Sequence, residues 1–378
     1  MASPEQRPSE KRFQPPFCPN AACAWHTAEE TSGWRFQRRG ARPVQRSPES
    51  TQRFRCTDCG RWFTDSTFSD VYWKKKPGLT ERLYPLIVDG KALRQAARTT
   101  GVSVSTIKRR EEQLARQALL HLERAWRRLR GRLDEPLELD GLRTFAGSQH
   151  EPAEINTLVA SASGFLLACT PFPIRRSGRM TARQKVERRR REARDGRPDP
   201  RARRQSVTEL LSAALALPAP HHRLRLRSDK EPDYVQAVRR LERLVQHTRV
   251  SSHVRRQTSH HPLWLTNHKH RLLRHVLASL RRETIAQHKT LQGLAERLAL
   301  VQLWLNFTKG VSERRRDRAR TTPAMLLGLS RRPVGGALFA ERLFPVRERL
   351  GPRLRPIYDG RLDRVGLRPD ARLPRYAA

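Results

Sequence analysis

Four of the five cysteines are crowded into two short knuckles, Phe17-Cys18-Pro19-Asn20-Ala21-Ala22-Cys23 and Phe54-Arg55-Cys56-Thr57-Asp58-Cys59-Gly60-Arg61-Trp62-Phe63. No other feature of the chain restricts its fold so tightly. Two close thiol pairs about thirty residues apart suit tetrahedral zinc, which collects four soft ligands at roughly 2.3 Å. Gly60 can take the positive φ that turns backbone amides toward thiolates, and the aromatic residues after it can cover the site. The spacing therefore predicts a structural zinc held by Cys18, Cys23, Cys56 and Cys59. The gap in the first pair is wider than usual, and His26 stands near enough in sequence to replace a cysteine. Cys169 lies within an apolar run and reads as a buried thiol rather than a nucleophile.

Charge is the second constraint. Lysine and arginine number 77 against 37 aspartate and glutamate, a formal net charge of +40 over 378 residues. Such an excess does not suit an enzyme of small neutral substrates; it suits a polyanionic partner, normally nucleic acid. Length alone predicts about two to three domains. The hydrophobic fraction of 37% is low but sufficient for packed cores, which excludes disorder of the whole chain. No apolar run approaches the roughly 18 residues of a membrane span. The segment Met1-Ala2-Ser3-Pro4-Glu5-Gln6-Arg7 has no signal-peptide character, and the cysteines do not form a disulfide scaffold. These features predict a soluble intracellular protein with no membrane partner.

Along the chain, residues 1–16 are polar and proline-bearing, a disordered lead-in to a cysteine module over 17–75. A helical stretch follows over 79–132, Pro136 ends it, and Leu137-Glu138-Leu139-Asp140 opens a region with strand character. Ile155–Ala160 and Phe165–Cys169, separated by Ser161-Ala162-Ser163-Gly164, predict a hairpin. Residues 175–204 are overwhelmingly basic, densest at Arg188, Arg189, Arg190 and Arg191. They read either as a solvated helix or as an arm along phosphates, and the net charge favours the arm. Leu224 and Leu226 alternate with arginines up to Ser228-Asp229, as in a strand. Tyr234–Leu244, His270–Thr284 and Leu291–Phe307 read as helices. The tail over 331–378, rich in Arg, Pro and Gly, is expected to be poorly ordered. The pairs His221-His222 and His260-His261 lack ligand spacing and read as phosphate or surface contacts.

Gly90–Arg98 has apolar positions three and four apart, Thr100-Gly101-Val102-Ser103 makes a sharp turn, and Val104–Arg110 opens a second helix with Ser103 as N-cap. This is the sequence form of a helix-turn-helix, with Ala96 at the crossing and Val102 and Ile107 in the core. The second helix would lie in the major groove of double-stranded DNA, with Ser105, Thr106, Lys108 and Arg109 near bases or phosphates.

The order of these parts resembles bacterial insertion-sequence transposases of the DDE class. The resemblance rests on Phe54-Arg55-Cys56-x-x-Cys59-Gly60-Arg61-x-Phe63 and the helix-turn-helix, then Leu139-Asp140-Gly141-Leu142-x-Thr144-Phe145 and Arg176-Ser177-Gly178-Arg179-Met180-Thr181. It continues through Ser228-Asp229-Lys230-Glu231-Pro232-x-Tyr234, Arg282-Glu283-Thr284-Ile285-Ala286 and Thr322-Pro323-Ala324-Met325-x-x-Gly328-Leu329, covering most of the chain from Cys18 to Leu329. It implies a multi-domain α/β protein: an N-terminal zinc ribbon, a helical helix-turn-helix domain, and an RNase-H-like catalytic domain with a central mixed sheet over 136–330. It further implies three acidic residues binding two Mg²⁺ or Mn²⁺ ions, a homo-oligomer on DNA ends, and a place in the bacterial cytoplasm beside the nucleoid.

The residues themselves agree on two of the three. Asp140 and Asp229 each end an apolar strand, where an α/β domain presents its chemistry, and carboxylates suit hard divalent ions. A metal pair about 4 Å apart activates the attacking oxygen and stabilises the leaving one. For the third, a related branch carries Glu in a motif like Glu-Arg-x-Asn, and laying that pattern on Arg274 puts Asn267 where Glu should be. Glu283, Glu296 and Glu313 remain, with Glu283 preferred because it lies in the stretch most like this subfamily. Gly141 also stands where many relatives have an acidic residue. The leading expectation is a transposase that binds terminal repeats and cleaves and joins strands. The alternative is an inactive transposase-derived DNA-binding protein, and a third is a nucleic-acid binder acting through charge alone.

Overall fold

The computed structural model describes residues 13–43, 51–241, 244–251, 261–281 and 288–362. Its N-terminal module contains a single helical turn, α1 (Ala24–Thr27), and a small antiparallel sheet of β1 (Phe36–Arg42), β2 (Thr51–Cys56) and β3 (Trp62–Thr64). Such a sheet is too small to bury an aliphatic core. It closes instead over rings: Phe17, Trp34, Phe54, Phe63 and Phe68 pack with Phe344 from the far end of the chain. Phe54 and Phe63 sit opposite each other in register and stack at 5.5 Å.

Three helices follow: α2 (Leu79–Val88), α3 (Leu93–Thr100) and α4 (Val104–Leu129). Gly101, at φ +70°, ends α3 in the left-handed region and donates its N–H to Ala97. Ser103 then caps α4, its Oγ accepting the Thr106 N–H at 3.3 Å. Ala96 and Ile107 are fully buried where the two helices meet. Helix α4 runs on for 26 residues, far past the turn that precedes it. Its later turns bury Leu114, Ala118 and Leu122 in the same core as the central sheet.

That sheet has the order β6-β5-β4-β7-β8, from β4 (Leu137–Phe145), β5 (Pro152–Ala160), β6 (Leu166–Pro173), β7 (Leu224–Ser228) and β8 (Val245–Arg249). β4, β5 and β6 form an antiparallel meander, while β7 lies parallel to β4 and β8 parallel to β7. Between β6 and β7 stand α5 (Ala182–Asp195) and α6 (Ala202–Ala214), and α7 (Pro232–Arg239) joins β7 to β8. Then come α8 (Trp264–Val276) and α9 (Leu291–Phe307). The two-residue period of the strands sorts their side chains between two faces. Leu142, Ile155 and Val159 pack with Leu273, Leu294 and Leu298 of α8 and α9. Leu137, Leu139 and Leu158 belong with Val207 and Leu211 of α6 and Tyr234 of α7.

The expected hairpin is present as β5–β6, and the expected helix over Leu291–Phe307 is α9. The helix expected over Tyr234–Leu244 stops at Arg239, and the chain enters β8 instead. The helix expected over His270–Thr284 begins earlier, at Trp264, and ends at Val276; residues 282–284 lie outside the described ones.

The tail departs most from expectation, because residues 331–362 are packed. Ser69 bridges to Glu341, and Arg342 donates its N–H to the Phe68 carbonyl. The Arg347 guanidinium lies 4.2 Å over the Phe17 ring and donates to the His26 carbonyl at 2.8 Å. Glu348, almost fully buried, accepts from Arg124 at 2.6 Å and Arg127 at 2.9 Å on α4. This segment therefore ties the aromatic module to α4. Among the described residues no helix is long and apolar enough to cross a membrane.

Candidate functional site

The knuckles converge. One Sγ each from Cys18, Cys23, Cys56 and Cys59 lies within 4.8 Å of all the others, and no pair is a disulfide. A tetrahedron with metal–sulfur bonds of about 2.3 Å has edges of about 3.8 Å, so the set is sized for zinc. Cys18 and Cys59 are 3.6 Å apart, and Trp34 Nε1 donates to the Cys56 sulfur at 3.3 Å. Burial pushes the Cys18 thiol well above its ordinary value. Burial acts the same way on Cys59, but the Arg61 backbone and the Asn20, Cys18 and Cys56 side chains outweigh it and bring Cys59 down to about 7. His26 is not a ligand: its Nδ1 lies 2.8 Å from the Cys18 carbonyl, and its ring packs edge-on against Phe17 and Phe344. Cys169 is buried far from the cluster on β6, as an inert thiol.

At the centre of the larger sheet, Leu139 of β4 pairs in register with Ser228 of β7. The next residue along the chain from each is an aspartate, Asp229 just past the end of β7 and Asp140 inside β4. β4 does not end at Asp140 as expected but runs on to Phe145, because it also pairs with β5; the end of the parallel ladder thus sets the two side by side. Both act on one reporter, the Tyr234 phenol. Burial first, then the charges of Glu154, Asp140 and Asp229, push that phenol far above its ordinary value. Asp140 Oδ1 accepts the Gly141 N–H at 2.8 Å, and Asp229 Oδ1 accepts the Glu231 N–H at 3.1 Å.

Helix α8 lies against this strand pair. Glu138 accepts from the Thr266 N–H and hydroxyl at 2.9 and 3.0 Å. One turn later His270 Nε2 meets Thr157 Oγ1 at 2.6 Å, with Nδ1 3.9 Å from Asp140 Oδ2. Asn267 stands on this helix between those two anchors.

Gly141 also has a physical reason. A Cβ there would lie 2.7 Å from Glu154 Oε1 and 2.8 Å from the Tyr234 hydroxyl. The space beside Gly141 is thus taken by Glu154 of β5, which is clamped by Arg203 at 2.7 Å. Sequence reasoning misses Glu154, Thr157 and His270. A charged residue in an otherwise apolar strand is the one signal available, and the expected hairpin starts one residue after it.

Of the third-carboxylate candidates, Glu283 lies outside the described residues. Glu313 is exposed and paired with Lys309. Glu296 is buried on α9, takes a hydrogen bond from Gln292 at 2.8 Å, and feels the charges of Glu112, Arg116 and Glu111 on α4. The structure therefore brings together Asp140 and Asp229, and turns Glu296 toward α4.

Burial raises the Glu296 carboxyl from 4.5 to about 7. A carboxyl raised in the folded state holds a proton that the unfolded chain releases, so stability falls as pH rises from about 4.5 to about 7. Glu296→Gln is expected to keep the Gln292 contact and remove that penalty. Thermal unfolding across this pH range should show a gain on the order of 2 kcal/mol at pH 8 and almost none at pH 4.

In the first two turns of α4, Ser105, Lys108 and Arg109 are exposed and Thr106 is half-buried. The next arginine, Arg110, instead points inward to Thr80 Oγ1 and the Lys76 carbonyl. On α5, Arg189 and Arg190 face outward. Arg188 and Arg191 turn to carboxylates, Arg188 to Glu192 at 3.6 Å and Arg191 to Glu187 at 2.7 Å.

Part of the chain is similar to an insertion-element protein. It is 33% identical over 61 residues to the insertion element iso-IS1N protein InsA of Shigella dysenteriae. That match spans 16% of this chain and 64% of that protein. No family model matches.

Proposed function

We propose that this protein is a DNA transposase that binds the ends of an insertion element, cleaves them with divalent metal ions and joins strands. The observation that carries the proposal is that Asp140 and Asp229 each stand one residue past the Leu139–Ser228 pair of the parallel strands β4 and β7, in a five-stranded mixed sheet with the order β6-β5-β4-β7-β8. On this reading the sheet and its helices are an RNase-H-like catalytic domain. The likeness to an insertion-element protein supports the same class, as does the four-cysteine cluster, read as a zinc ribbon.

Two aspartates offer hard oxygen donors suited to Mg²⁺ or Mn²⁺. Bound there, such ions would supply charge for the attacking and leaving oxygens of a phosphodiester. The chain's own residues do the rest. The β4–β7 ladder holds Asp140 and Asp229 adjacent, α8 buttresses Asp140 through His270 and Thr157, and Glu283 is the proposed third carboxylate. The exposed face at Ser105, Thr106, Lys108 and Arg109 would read the ends in the major groove, with Arg189 and Arg190 on phosphates. A homo-oligomer would hold the two ends together.

The reading is tested with the full chain, a duplex carrying its element's ends, and Mg²⁺ or Mn²⁺ against a chelator. Metal-dependent nicking is the expected result. A second reading, a sequence-specific DNA-binding protein without catalysis, is favoured by Gly141 and Asn267, which stand where the resemblance to DDE-class transposases leads one to expect acids. Intact specific binding with no nicking under either metal would select it.

Lys108→Ala with Arg109→Ala is expected to reduce discrimination between cognate and random DNA by roughly 10- to 100-fold, the scale of one or two good base contacts. Total affinity should fall much less, because phosphate contacts elsewhere persist with their steep salt dependence. Competition binding measures both, and unchanged discrimination would reject this face.

A further inference from the structure

A cavity of about 160 Å³ opens between the outer end of the β4–β5–β6 meander and helix α5. Pro152, Ala153, Ile174 and Leu291 make apolar walls. Arg175, Arg176, Arg188, Arg191 and Lys289 also line it. Three carboxylates answer those five cations: Glu192 takes Arg175 at 2.8 Å and Arg188 at 3.6 Å, while Glu151 and Glu187 take Arg191 at 3.1 and 2.7 Å. Arg176 and Lys289 have no carboxylate partner among the described residues. His150 also lines the space, and its Nδ1 is buried with no hydrogen-bond partner. Burial, then the charges of Arg176 and Arg191, lower its pKa and favour the neutral ring.

Size and chemistry together narrow the ligand. Pockets for drug-sized molecules run about 300–1,000 Å³, whereas a dry cavity of about 150 Å³ takes a single benzene-sized ring. Apolar walls suit the faces of such a ring, and an unpaired imidazole nitrogen suits a polar edge. Cations without a carboxylate partner, Lys289 and Arg176 (whose guanidinium donates, among the described residues, only to the Gln149 carbonyl, at 2.9 Å), suit anions attached to it. A nucleobase between its two phosphates has all three features.

We propose that this cavity captures one unstacked base of a DNA strand, with the flanking phosphates on Arg176 and Lys289 and the base edge on His150. The proposal rests on the DNA-binding reading above and adds a separate site to it. Ala146 at the cavity is six residues beyond Asp140, about 20 Å along an extended strand, so the captured base is not the one at the carboxylates. Unstacking costs a few kcal/mol in a duplex and least in a single strand, so capture favours a frayed end or single-stranded flank.

The test uses the full chain and a thymine oligonucleotide carrying one 2-aminopurine. Binding should raise the fluorescence as the base leaves its neighbours, and deoxyadenosine monophosphate should compete better than pyrophosphate. Ile174→Trp, which fills the cavity at a half-buried wall, should weaken single-strand binding by about tenfold, the scale of one stacked base. Duplex binding by the same variant should be unchanged, which also reports that it folds. His150→Ala, a smaller change, should weaken capture several-fold. Duplex binding without a fluorescence rise, full capture by both variants, or pyrophosphate competing as well as the nucleotide would each overturn the cavity proposal alone. Failure of wild type to bind duplex as well would remove the DNA-binding reading with it.

Discussion

Asp140→Asn is expected to leave the fold and the binding of element ends intact while abolishing strand cleavage. Asparagine keeps the shape of the side chain and can still accept the Gly141 N–H that Asp140 Oδ1 takes at 2.8 Å. What it loses is charge, and a neutral amide does not offset a divalent ion in a site that is almost closed to water. Metal stabilisation of a phosphodiester transition state is worth several kcal/mol, so nicking should fall on the order of a thousandfold or more. Asp229→Asn should do the same, since the β4–β7 ladder places the two carboxylates one step past Leu139 and Ser228. Glu283→Gln should match them if Glu283 completes the set, whereas Glu313→Gln should be nearly silent. The measurement is nicking of an end-bearing duplex with Mg²⁺ or Mn²⁺, beside binding of the same duplex. Metal-dependent nicking that survives Asp140→Asn would sink the active-site assignment.

The second large effect is expected at the cysteines. Protein purified without chelator should carry one zinc per chain, and Cys56→Ser should release it. Apparent zinc affinities in small modules amount to about 10–16 kcal/mol, which is folding energy for a sheet that cannot close a core unaided. Loss of the ion should therefore expose Trp34, whose indole N–H is directed at the Cys56 sulfur. Disruption should spread to the tail, because Phe344 and Arg347 pack against the same aromatic module. Metal analysis, tryptophan fluorescence and limited proteolysis between Phe13 and Tyr358 report these steps. Native protein with no zinc would end the claim.

The features legible in the sequence are those set by near neighbours. The knuckles announce themselves because each pair sits on one turn, and only the meeting of the two turns is non-local. Helix α9 and the Gly101–Ser103 turn follow from apolar spacing, a left-handed glycine and a hydroxyl cap within a few residues. Strand β7 shows in the alternation of Leu224 and Leu226 with arginines.

Other features have no local signal. β8 has a single buried residue, Val245, and exists because its backbone pairs with β7 along a parallel edge. The tail looks unstructured on composition, yet Phe344, Arg347 and Glu348 are held by partners hundreds of residues earlier: Phe17, His26, Arg124 and Arg127. The continuation of α4 into the shared core is likewise set by α9, through Arg297 clamping Glu111 at 2.8 Å.

Residue order alone therefore carries a set of four close thiols, a strongly basic chain and two aspartates that each follow a short apolar run, although β4 continues past Asp140 to Phe145 and only Asp229 stands at a strand end. Folding adds that those strands lie side by side and in parallel, that Glu154 fills the space beside Gly141, and that His270 reaches Asp140. Propensity and capping act over a few residues, whereas strand partners are chosen by burial and backbone pairing between segments almost ninety residues apart, which no local pattern encodes.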